Sequence, residues 1–87
     1  MNLDTLDIVQ LFKQAAFEAE GRHLENLTLD SKLSELSMDS VAVMETIGVF
    51  EQRVGVRFHD EDLAKLTSLR DLEALVHKAR VDHKLGA

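Results

Sequence analysis

Apolar residues along this chain recur at intervals of three and four rather than alternating, which predicts helices and not strands. Ile8, Phe12, Ala15, Ala16 and Ala19 share one face of a first helix, widened by Leu11. That helix is expected over 4–20, with Asp4 as its N-cap and Gly21 as its stop. Val43, Ile47, Phe50 and Val54, spaced at four, three and four, line a second helix over 40–54, capped by Asp39 and ended by Gly55. The run HDEDLAKL, with a cap at His59 or Asp60 and acids in its first turn, predicts a short third helix over 60–66. Ser68 and Asp71 have capping-box spacing, and Leu69, Leu72, Leu75, Val76 and Ala79 supply the face of a last helix over 68–83.

Between the first two helices the period is lost, although Leu24, Leu27, Leu29, Leu33 and Leu36 keep arriving. A long connection lying against the core is expected there. Such stripes can be buried only against one another, so the fold expected is all-α: a small four-helix bundle with a long first loop and a short third helix, forming one domain over 1–87. Gly48 costs helix two roughly 0.5–1 kcal/mol relative to alanine, and either the core tolerates it or something approaches closely there. The first reading is the one adopted.

Composition narrows the function. The chain has 87 residues, and its 45% hydrophobic content is dispersed, with no apolar run of membrane-spanning length and no basic segment leading into an apolar one near Met1. No membrane span and a cytoplasmic location are the expectations. Sixteen acids against ten bases give a formal charge of −6, which repels phosphate backbones and excludes nucleic acid as the expected partner. The basic residues His77, Lys78, Arg80, His83 and Lys84 suit a helix C-terminus and need no ligand. Cysteine is absent, so any thiol chemistry must be borrowed.

Ser40 follows Asp39 at a predicted helix start, yet its helical neighbours at three and four residues are Val43 and Met44, and the preceding turn offers Leu36 and Ser37. A serine nucleophile needs a base within reach, and none is near; Asp39 is better used as a cap. The four histidines lack metal-site spacing, and His59 with Asp60 and Asp62 lacks the glycine and distal glutamate of a calcium loop. No catalytic residues and no metal are expected.

Leu33, Leu36, Met38, Asp39, Ser40 and Val41 resemble the attachment signature of acyl and peptidyl carrier proteins, in which a leucine, a glycine and a variable residue precede Asp-Ser-Leu at the start of the second of four helices. Gly55 with Val56, the acidic segment 60–66 and the run Thr67 to Leu72 also fall where that family has counterparts, and the likeness extends from about Ile8 to Val76. The resemblance implies a non-catalytic carrier. Ser40 would receive 4′-phosphopantetheine from coenzyme A by the action of a phosphopantetheinyl transferase with magnesium, beside Asp39 as motif residue and cap. Acyl or aminoacyl groups would then ride as thioesters, supplied by a loading ligase and used by synthase or transferase enzymes. Helix two is where the family meets partners, and its outer face offers Val41, Met44, Glu45, Gly48, Glu51 and Gln52, with Arg53 opposing the acids. A weakly acidic second helix fits polyketide, nonribosomal-peptide or related secondary metabolism, served by a monomer. Ser37 stands where the family has glycine, implying a differently shaped turn, and Val41 stands where leucine is commonest. The alternative is an unmodified helical module that docks a partner through Val41 and Met44.

Overall fold

The structure, a computed structural model, describes residues 7–86, with side chains to Val81. Four helices follow one another: α1 (Ile8–Glu20), α2 (Ser40–Val54), α3 (Asp60–Leu63) and α4 (Leu69–Gly86), with one 3₁₀ turn at Leu33–Glu35. The N-cap of α1 is Asp7, three residues later than expected; Asp4 lies outside the described residues. Asp7 wins because it directly precedes the first core residue, Ile8, and its carboxylate accepts the Gln10 N–H at 3.1 Å. Gly21 ends α1 at φ 66°, its N–H donating to the Ala16 and Phe17 carbonyls. The bounds of α2 coincide with those expected, and Gly55 closes it at φ 74°. Only four residues of α3 are α-helical. Beyond Ala64 its bonds reach back three residues instead of four, Lys65 N–H to the Asp62 carbonyl and Leu66 N–H to the Leu63 carbonyl, so the segment to Leu66 finishes as a tighter turn. The last helix runs past the expected end at 83.

One apolar core joins all the long helices. Ile8, Phe12 and Ala15 meet Ile47 and Phe50, and Leu69, Leu72 and Val76 close it from α4. Phe50 is the hub, its ring centroid 6.3 Å from Phe12 and 6.3 Å from Phe58. Across the face where α1 and α2 pack, Arg53 forms an ion pair with Glu18 and donates to Gln14 at 3.3 Å. Arg53 therefore does not oppose Glu45 and Glu51 on the outer face of α2, as its sequence position suggested; it is drawn sideways onto α1.

The long connection is fastened. Leu27 and Leu33 are buried with the core, and Leu24, Leu29 and Leu36 pack against it. Its backbone pairs with the entry to α4: Leu33 N–H donates to Thr67 at 2.8 Å, Leu69 N–H to Ser31 at 3.2 Å and Arg70 N–H to Leu29 at 2.8 Å. An isolated antiparallel bridge between Lys32 and Ser68 results. These bonds carry the chain across the bundle and deliver it at a fixed angle to Asp39.

Candidate functional site

Three residues shape the approach to α2. Leu36 is half-buried against the core, Ser37 turns the chain at φ 57°, and Met38 packs back on the core before Asp39. Serine thus adopts the left-handed conformation a glycine would take more cheaply.

Asp39 is extended, at φ −75° and ψ 174°, and its Oδ1 accepts the Ala42 N–H at 2.7 Å while its carbonyl accepts the Val43 N–H at 3.0 Å. With its carboxylate committed to the cap, Asp39 is not placed as a base for its neighbour. Ser40 is the first residue of α2 and is exposed. The N–H groups of Ser40 and Val41 precede the first intrahelical donors, and the positive end of the helix dipole falls on the hydroxyl. A shallow depression of about 390 Å³ opens there, lined by Ser40, Val41, Met44 and Glu45. An accessible hydroxyl at the positive end of a 15-residue helix, bordered by apolar side chains, fits a covalently attached phosphodiester with an organic arm.

The outer face of α2 differs in part from the surface read from sequence. Val41 is 64% exposed and Met44 47%, so Met44 is not core filling. Glu45 and Gln52 are exposed, and Gly48 is half-buried. A Cβ added at Gly48 meets nothing within 4 Å, so no packing within this chain requires glycine there. Glu51 is drawn inward: its Oε2 accepts the Phe58 N–H at 2.8 Å and ties the end of α2 to the loop before α3.

Sequence reasoning missed Glu20. At the end of α1 its Oε1 is shut off from solvent and, with every carboxylate ionised, has no hydrogen-bond partner among the described residues. Burial raises its pKa above the ordinary 4.5, and the charge of Glu45, a hydrogen bond shared with Glu45 and the charge of Asp39 raise it further, against Arg22. Nothing local announces this, because the crowding arises only when α1 and α2 pack side by side.

A family model described as "Phosphopantetheine attachment site" matches residues 8–76. The actinorhodin polyketide synthase acyl carrier protein of Streptomyces coelicolor is 31% identical over 77 residues, covering 88% of this chain and 90% of the relative. An acyl carrier protein homolog of Ureaplasma parvum is 38% identical over 69 residues, 78% of this chain and 87% of its own. Among solved structures, an acyl carrier protein of Thermotoga maritima superposes with a TM-score of 0.76 at 28% identity, covering 86% of this chain and 88% of the other.

Proposed function

This chain belongs to the phosphopantetheine-attachment family, and from that premise we propose that Ser40 is the residue that bears the group. The protein is a carrier, with 4′-phosphopantetheine as its covalent prosthetic group. When bound, that group supplies the thiol the chain lacks, on which acyl groups are held as thioesters. The observation that carries the assignment is the exposed hydroxyl of Ser40 at the first position of α2, beside a cap already satisfied by Asp39. In the modification the Ser40 oxygen forms a bond to the phosphorus of coenzyme A that carries the pantetheine. The adenosine bisphosphate portion leaves, and the hydroxyl proton passes to a base on the transferase. Ser40 needs exposure and a fixed backbone for this, not a base of its own.

Val41 and Met44, two large apolar side chains left in water beside Ser40, form the centre of the surface that partners contact, and Glu45 and Gln52 form its polar border. Gly48 leaves that surface without a side chain, while Glu51 contributes through the loop it holds. Its partners are the transferase, a loading ligase and the synthase or transferase enzymes of the pathway. A polyketide or related secondary pathway is supported by the actinorhodin relative and by an outer face on which Glu45 is the exposed acid while Glu51 is tied to the Phe58 N–H.

The test is intact mass after incubation with coenzyme A and a promiscuous phosphopantetheinyl transferase. Wild type gains one phosphopantetheine and Ser40→Ala gains none. A folded wild-type protein whose mass stays unchanged would overturn the assignment.

A further inference from the structure

A second hollow, larger than the depression at Ser40, lies farther along the helix that begins there. It is an open groove of about 800 Å³, walled by Gly48, Gln52 and Gly55 of α2 and its cap, by Val56 and Arg57 of the following loop, and by Ala79 of α4. Positions 40, 44, 48, 51 and 55 are spaced at four, four, three and four, so they fall on one line of the α2 surface. The depression at Ser40 and the groove are therefore consecutive along one helix face, joined by the exposed Met44.

Two further features give the groove chemical character. Its floor is bare where Gly48 lacks a side chain, with open space for 4 Å around the missing Cβ, and Val56 and Ala79 make its sides apolar. Its far end carries Arg57, an exposed guanidinium that forms no ion pair or hydrogen bond among the described residues. Glu51, the groove's carboxylate, is engaged by the Phe58 N–H and forms no ion pair with Arg57. An open groove with apolar sides, ending in a cation that has no partner among the described residues, is suited to a short aliphatic chain that terminates in an anion.

Reach agrees with this. About fourteen bonds separate a serine oxygen from the sulfur of phosphopantetheine, which at roughly 3.5 Å per three bonds of extended chain is about 16 Å. Gly48 and Gln52 lie about 12 and 18 Å along the helix axis from Ser40 at 1.5 Å per residue.

Resting on the assignment of Ser40, we propose that this surface groove seats the thioester end of the cargo, and that Arg57 selects acyl groups bearing a terminal carboxylate. The groove is an external feature distinct from the Phe12–Phe50 core, and Arg57 is a specificity-determining residue whose role ends at binding.

The experiment uses the full chain labelled with ¹⁵N and converted enzymatically with coenzyme A, butyryl-coenzyme A or succinyl-coenzyme A, each product confirmed by intact mass. Butyryl and succinyl differ in ending in a methyl or a carboxylate. Relative to the butyryl form, the succinyl form of wild type shows displaced amide resonances at Gly48, Gly55, Arg57 and Ala79, and slower thioester hydrolysis. Arg57→Gln, at an exposed position and checked for an otherwise unchanged spectrum, loses both differences while gaining the same masses. Identical succinyl and butyryl spectra in the groove, differences that survive Arg57→Gln, or displacements centred instead on Phe50 and Leu72 would each overturn the proposal. Absence of any mass gain would remove the assignment of Ser40 and this inference with it, whereas a normal mass gain without the groove displacements removes this inference alone.

Discussion

Ser37 sits three residues before Ser40 with φ at 57°, a conformation that costs a side-chain-bearing residue roughly 1–2 kcal/mol because Cβ crowds the carbonyl oxygen. Leu36 on one side is anchored to the core and Asp39 on the other is committed to the α2 cap, so the backbone between them has little freedom to relax. Neighbouring structure, and not the preference of serine, sets this turn. Ser37→Gly should therefore stabilise the protein by about 0.5–1 kcal/mol, the steric gain being partly offset by the greater freedom of glycine in the unfolded chain. A urea titration checks this, and a lower midpoint for the variant would contradict the strained-turn account. Phosphopantetheine loading should be unaffected, since the hydroxyl that matters is three residues away.

At the scale of elements, the entry to α4 shows why local signals could be read and long-range ones could not. Ser68 and Asp71 announced a capping box, and the structure completes it: Asp71 N–H donates to Ser68 Oγ at 3.4 Å, and Asp71 Oδ2 accepts from Thr67 N at 3.0 Å, Thr67 Oγ1 at 2.6 Å and Ser68 N at 3.1 Å. The same holds for α2, whose stripe, cap and glycine stop are all within one stretch of chain. The pairing of 29–33 with 67–70 left no periodic trace, because backbone bonds carry no side-chain code and the partners lie about 40 residues apart. Val41 and Met44 were legible because exposure of apolar residues off the buried stripe follows from helical spacing, Asp39 because a cap directly precedes its helix, and Ser40 through its resemblance to the attachment signature, whereas the side-chain bond from Glu51 to the Phe58 amide has no such local signal. Asp71 also yields a pH prediction. The side-chain hydrogen bond from Thr67, then the backbone bonds from Thr67 and Ser68, hold its pKa below the ordinary 3.8. A depressed carboxylate contributes stability that is fully present above 3.8 and is lost as pH falls through its folded value. Asp71→Ala should lower the thermal midpoint at pH 7, and the gap from wild type should shrink steadily below pH 3.8. A gap independent of pH would mean that the carboxylate charge plays no part.

For the whole molecule the dominant electrostatic fact is a charge of −6 on a small body, and Glu20 is where that excess becomes a specific cost. The bundle can close only by laying α1 beside α2, which brings Glu20 to Glu45 and Asp39 with Arg22 as the opposing cation. Because burial and these acids raise the pKa of Glu20 above 4.5, between 4.5 and its folded value the folded state holds a proton that the unfolded chain has already released. Stability from this group is therefore complete below 4.5 and declines as pH rises through the folded value. Glu20→Gln removes the charge and retains a donor for Glu45, so it should stabilise the protein at neutral pH and flatten the rise in thermal midpoint that wild type shows as pH falls from 7 toward 4.5. Added salt should narrow the difference between the two proteins at pH 7 by screening the same repulsion. A variant less stable than wild type at pH 7 would show that the Glu20 carboxylate supports the packing of α1 on α2 instead of opposing it.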